Sequence, residues 1–243
     1  MKQLWIAAAF LLAAIAMQAQ SALPSGTLLP VRLDTTLYAA KAHPGQPVRA
    51  TVMQNIPGTL IRRDARLLGH IVQATAPNKG PAQMEIVFDT VIIQGRAVAF
   101  KASLRALASF MEVGAAEAPD EGGDQAIPPV DSTFTQIGGE VVFRGGGPVW
   151  DGKKAVGKPT PYGVLALPRA NPGSGCRGVI GENTQPQALW LFSTNACGLY
   201  GFSHLRIVHA GRTDPMGKII LASDKGKLVI HAGSGILLRV LGS

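Results

Sequence analysis

The sequence predicts an all-β protein: a small closed or nearly closed β-barrel or sandwich of about ten short strands, with a long mid-chain loop insertion and at most one short helix. Three observations carry this. Short runs of alternating apolar and polar residues recur between turn-forming residues along the chain. Glycine and proline number 29 and 17, while charged residues make up only 16%, a profile that strands joined by tight turns explain better than helices do. A strand-like stretch early in the chain is also matched by a second one late in it.

That pair is Leu23 to Leu33 (LPSGTLLPVRL) and Ile230 to Val240 (IHAGSGILLRV). Aligned on Gly26 and Gly233, Thr27 matches Ser234, Leu29 matches Ile236, Val31 matches Leu238, Arg32 matches Arg239 and Leu33 matches Val240. In both copies a glycine turn launches a strand with apolar residues at alternate positions. A sheet that pairs two such ribbons removes two exposed edges. Lateral pairing of these stretches is therefore the expected closure.

Residues 1–22 read as a signal peptide. Lys2 supplies the positive start, Leu4 to Met17 is apolar, and Ala19, Ser21 and Ala22 offer a cleavage site. The apolar run is short for a membrane span. Residues 23–243 are then expected to form a single β-barrel domain with a loop-rich insertion at about 106–175. The formal net charge of +8 comes from basic residues scattered along the chain, with 6% aromatics. Nucleic-acid binding wants a clustered basic face with interleaved aromatics, and none is expected here. A diffuse positive charge suits anionic surfaces instead. Cys176 and Cys197 form an even pair 21 positions apart, which in an exported chain reads as one structural disulfide.

After the first strand, Ala42 to Pro47 is a Pro- and Gly-rich turn, and Val48, Ala50 and Val52 alternate with polar neighbours as a half-buried strand. Ile56-Pro57-Gly58 is another turn. Leu60 to Val72 reads as a strand, a tight turn at Asp64-Ala65, and a second strand carrying Gly69. Met84, Ile86 and Phe88 alternate along a further strand that runs on to Ile93. Gln94-Gly95 is a hairpin turn, and Ala97 to Phe100 returns. Lys101 to Ala118 is rich in Ala and Leu and is the one helix expected, interrupted at Gly114. Pro119 to Val130 is an acidic, Gly/Pro-rich linker, and 131–175 reads as a decorated loop. Val179-Ile180, Ala188 to Phe192, Leu205 to His209, Ile219 to Ala222 and Leu228 to His231 supply the remaining strands.

Several of these residues fall in a recognisable order. Leu23-Pro24-Ser25-Gly26-Thr27 is followed by Leu29-Pro30-Val31-Arg32-Leu33-Asp34-Thr35, and then by Pro44-Gly45-Gln46-Pro47-Val48-Arg49-Ala50-Thr51-Val52. A basic turn at Arg62-Arg63 precedes Arg66-Leu67-Leu68-Gly69, and Ile86-Val87-Phe88-Asp89 is followed by Gly95-Arg96. This series resembles the C-terminal β-barrel domain of the TrbI-type conjugation family, the outer-membrane-core subunit of type IV secretion channels. The resemblance covers Leu23 to about Ala108 and resumes at Lys227 to Leu241. It lacks the family's inner-membrane helix, Pro-rich stalk and outer-membrane helical hairpin, and Ile61 to Ala65 lacks the expected Pro and Gly. It implies a non-catalytic envelope or secretion-system component that acts through protein contacts, as a homo-oligomeric ring, in the periplasm or at the outer membrane. The alternative is a secreted, monomeric barrel that binds a glycan or an anionic surface.

The chemistry-bearing residues point the same way. Gly147 to Lys154 has phosphate-loop spacing, but Lys154 stands where a hydroxyl must bind magnesium. His204, His209 and His231 lack shared-face spacing, so no metal is expected. Asp120, Glu121 and Asp124 lack the alternating ligand pattern of a calcium loop. No Gly-x-Ser-x-Gly occurs; Ser174 and Ser234 sit between turn glycines. Glu85, Asp89, Glu140 and Asp151 are carboxylates that sequence alone does not bring together. No cofactor and no catalytic residue is expected. Trp150, Trp190, Phe192, Tyr200 and Phe202 read chiefly as packing around the disulfide. The candidate ligand or partner surface is Trp150, Trp190, Arg62 and Arg63.

Overall fold

The computed structural model describes residues 23–76, 81–118, 130–139, 141–145, 150–151, 153–155, 157–160, 163–166, 171–176 and 189–242. The expected signal peptide (1–22) and nearly all of the acidic linker (119–129) lie outside the described residues.

The early strand β1 (Leu28–Leu33) and the late strand β18 (Gly235–Gly242) pair antiparallel, with Leu29 opposite Leu238 and Val31 opposite Ile236. The pairing runs past the strand ends, because the Leu33 amide donates to the Ser234 carbonyl at 2.9 Å and the Gly233 amide returns to the Leu33 carbonyl at 2.8 Å. Gly233 stands at φ 88, a left-handed geometry that glycine adopts without a Cβ clash. On the inward face Leu29, Val31, Leu33, Leu238 and Val240 are essentially fully buried. The two matching ribbons are therefore neighbours in one core.

Around this pair stand β3 (Pro47–Val52), β4 (Arg66–Thr75), β5 (Ala82–Ile93), β6 (Arg96–Ala99), β7 (Lys101–Ala108), β14 (Gly198–Tyr200), β15 (Leu205–His209) and β16 (Lys218–Ser223). The ten-stranded sheet has the order β14-β7-β18-β1-β3-β4-β5-β16-β15, with β6 also paired to β5. Its ladder stays open, so the body is a nearly closed barrel. Two links narrow the gap. The run through β6 and β7 leaves β5 for β18 at Phe100, and the Leu104 amide donates to the Ala210 carbonyl at 2.7 Å. A short ribbon of β2 (Leu37–Tyr38) and β17 (Val229–Ile230) lies beside it. The Gln94-Gly95 turn forms as expected, with both residues at positive φ. Gly69 is required by close approach: a Cβ there would lie 2.0 Å from the Val87 carbonyl oxygen.

Three expectations change. Lys101 to Ala108 is a strand, and within the expected helix only α1 (Phe110–Glu117) is helical, running through Gly114 without the expected break and N-capped by Ser109, whose hydroxyl accepts from the Glu112 amide. β7 alternates Lys101, Ser103 and Arg105 with Ala102, Leu104 and Ala106, and a bulge where it meets Leu237 and Leu238 then exchanges its faces. Ala102 and Leu104 face the main core, while Ala106 and Ala108 join a second cluster with Val113, Ala116, Ile137, Leu189, Leu191, Phe192, Ala196 and Leu237. Residues 131–175 are also not one loop. β8 (Val130–Thr135), β9 (Val141–Gly145), β12 (Gly157–Thr160) and β13 (Gly163–Ala166) make a four-stranded sheet, and β10 (Trp150–Asp151) with β11 (Lys154–Ala155) makes a ribbon. Finally, Leu60 to Arg63 is part of a turn, with the strand beginning at Arg66.

Leu238→Ala should lower the unfolding free energy by about 3 kcal/mol, since a buried leucine is lost with little room for collapse. Gly69→Ala should cost at least 1 to 3 kcal/mol through the clash. Urea unfolding of both variants checks the pair.

Candidate interaction surface

The connection from β3 to β4 is a tightly tied knob. Ile56 and Ile61 are buried at its base, and the Ile56 amide donates to the Ile61 carbonyl at 3.1 Å. The Thr59 hydroxyl donates to the Ile56 carbonyl at 2.9 Å and accepts from the Ile61 amide at 3.1 Å. The Arg63 amide donates to Asn55 Oδ1 at 3.0 Å, and the Asp64 amide to the Val52 carbonyl at 2.8 Å. These bonds turn Leu60 outward, 51% exposed, together with exposed Arg62, Arg63 and Arg66. Arg62 Nη1 donates to the Thr59 carbonyl at 3.0 Å, which fixes its guanidinium over the turn. Arg63 and Asp64 approach only to 4.0 Å and are both exposed, a pairing of little energetic weight.

Trp190 belongs to the same end of the barrel. Leu189 and Phe192 exchange backbone bonds of 3.2 and 3.0 Å, closing a two-residue turn whose first residue is Trp190 at φ 57. That left-handed geometry costs an L-residue about 1 to 2 kcal/mol and normally falls to glycine. Two buried amides enforce it: the Trp190 amide donates to Gln54 Oε1, and Gln136 Nε2 donates to the Trp190 carbonyl at 3.2 Å. The indole is half-buried, edge-on to Phe192 at 6.4 Å. Gln54 and Asn55 are adjacent, so one short segment holds both Trp190 and the Arg62–Arg63 turn. No periodicity in the sequence marks Gln54 or Gln136 as the link. Of the expected Ala188 to Phe192 strand, Leu189 to Phe192 is this turn and not a strand, while Ala188 and the expected Val179–Ile180 strand lie outside the described residues. Trp150 stands elsewhere, in β10 opposite Ala155.

Cys176 and Cys197 are joined, with Cα atoms 5.2 Å apart. The bridge pins residues 173–176 along β14, where Ser174 and Leu199 exchange backbone bonds of 3.0 and 2.9 Å. Beneath it a crevice of about 40 Å³ is lined by Ser103, Arg105, Ile207, Arg212 and Arg239. Arg105 is turned to the chain itself, with Nε 3.0 Å from the Ala196 carbonyl oxygen and Nη2 3.4 Å from that of Thr194. Tyr200 donates to the Asn171 carbonyl at 3.0 Å and accepts from the Cys197 amide at 3.1 Å. Burial pushes its phenol above the ordinary value, against the opposing pull of backbone bonds at Cys197 and Gly173 and of the Arg105 charge.

Glu85, Asp89, His209 and His231 among the other polar candidates have structural partners. Buried Glu85 meets Lys218 at 3.0 Å and Gln73 at 3.0 Å, and Asp89 meets His70 at 3.0 Å. Asp151 is in β10, and Glu140 lies outside the described residues. His209 Nδ1 lies 2.8 Å from the Lys218 carbonyl oxygen, His231 packs edge-on against Phe110, and His204 is exposed. Among the described residues no three His, Cys, Asp or Glu side chains converge as a metal site. Lys154 stands opposite Asp151 in the backbone register of the β10–β11 ribbon, whereas Gly147 to Val149 and Gly152 lie outside the described residues.

Gln54→Ala should cost about 1 to 3 kcal/mol, because the Trp190 amide then loses its acceptor in a largely buried turn; thermal unfolding against the parent measures it. The raised Tyr200 pKa stabilises the fold fully below the unfolded value near 10 and loses that stabilisation as pH rises through the folded value. Tyr200→Phe should therefore flatten the alkaline limb of the stability–pH curve, read by urea unfolding between pH 8 and 11. Comparison with known protein families, with curated proteins and with solved structures finds no match for this chain.

Proposed function

We propose that the protein is a non-catalytic, exported component of an envelope or secretion assembly, a TrbI-like barrel that works by being bound by other proteins. The observation that carries this reading is the seating of the resemblance-bearing residues: 23–108 and 227–241 supply β1 to β7, β17 and β18, and β1 pairs directly with β18. A barrel held by such pairing offers rigid turns to partners without needing a reaction centre. The disulfide supports an oxidising compartment, the periplasm or the outer-membrane face. The assembled form in this reading is a homo-oligomeric ring in contact with envelope proteins and peripherally with the outer membrane; nucleic acid, metal and cofactor have no part in it.

One observation favours a second reading, a secreted monomer that binds glycan or an anionic surface: exposed Arg62, Arg63 and Leu60 share one turn, and exposed Arg66 opens the strand after it. Sedimentation of the exported protein separates the two. The first reading expects a large symmetric species that co-purifies with envelope proteins. A monomer in the culture supernatant, retained on polysaccharide beads, would contradict it and support the second.

A further inference from the structure

We propose that the 53–66 knob and Trp190 together form the docking face for an acidic, apolar-anchored segment of a partner protein. This rests on the protein-contact reading above and names the chemistry of one contact within it.

Charge gives the first argument. Between Met53 and Arg66 the chain carries Arg62, Arg63 and Arg66 against the single acid Asp64, and all four are exposed. A partner approaching this end meets a net positive field, to which carboxylates are the complement. Arginine also suits carboxylates geometrically, since its planar fork donates two parallel bonds.

Preorganisation gives the second. Arg62 is already oriented by its bond to the Thr59 carbonyl, and Leu60 is held outward by the Thr59 and Ile56–Ile61 bonds. A side chain that is ordered before contact loses less freedom on binding. Trp190 adds an independent sign. A bulky residue occupies a backbone position that glycine would fill without strain, and two buried glutamines hold it there. Strain kept at a half-exposed indole points to a use for the ring itself. Tryptophan and arginine are the side chains most enriched where protein partners bind tightly.

A lipid surface fits these features less well. One exposed leucine and a half-buried indole offer little apolar area to a bilayer, and a fluid headgroup layer gains nothing from a fixed guanidinium. The acidic partner is therefore the occupant the residues favour.

The test uses the full chain exported in its own cells, with a benzophenone-bearing residue in place of Leu60 and adducts mapped to sequence by mass spectrometry. The expected adduct lies in a protein segment rich in Asp and Glu. The mapped segment, made as a peptide, should bind the purified protein about tenfold or more weakly after Arg62→Gln with Arg63→Gln. Its binding should also fall as salt rises. Adducts to lipid alone, adducts to a segment without acidic residues, or unchanged peptide affinity in the double variant would each overturn the proposal. The same photoprobe at exposed Met111 and Met216 separates the two levels. Protein adducts there but none at Leu60 would end this docking face and leave the assembly reading standing. No protein adduct from any position would remove both.

Discussion

The lateral bonding of β1 to β18 is the constraint from which the rest of the structure follows. It joins residues about two hundred positions apart, so its loop-closure entropy is large and must be offset by burial on both sides of the sheet. Inward, the alternating residues of both strands fill the main core. Outward, Leu28 and Leu237 reach the second cluster beneath α1 and the 189–196 segment. The inward residues are fully buried while the outward face is only partly covered, with Arg32 exposed, so the pair is pinned in register: a one-residue slip would carry the core residues outward.

The second cluster turns that register into a surface. The segment that closes it also carries Trp190, and Gln54, which fixes Trp190, sits just beyond β3. β3 is the direct neighbour of β1. The exposed turn and the indole are thus two steps of hydrogen bonding from the central pair. The disulfide works at the opposite flank, where β14 is held against β7 near the open seam of the sheet.

Much of this was legible because strand periodicity survives wherever one face is buried and the other is wet. β1, β3, β5 and β18 read correctly for that reason, as did the Gln94-Gly95 turn, whose residue types fit the backbone they adopt. β7 did not: Lys101, Ser103 and Arg105 do alternate with Ala102, Leu104 and Ala106, but the Ala- and Leu-rich run reads equally as helix, and the bulge that carries Ala106 and Ala108 to the second cluster leaves no mark in the sequence. The strands between Val130 and Ala166 were hidden by glycines and prolines that punctuate very short runs. The candidate surface was half visible: the Arg62–Arg63 pair and Trp190 stood out by residue type, but their connection runs through Gln54, Asn55 and Gln136, polar side chains with no pattern of their own. A buried amide that ties distant turns is a tertiary fact, and local spacing carries no trace of it.

Native-state hydrogen exchange of the backbone amides addresses the central pairing most directly. The amides of Leu33, Val31 and Val240, together with those of the β18 residues that face β1, should exchange with one common free energy equal to that of global unfolding. If β18 amides exchange through a cheaper, separate opening while β3 to β5 stay protected, the two ribbons do not hold the barrel together, and the account built on them fails.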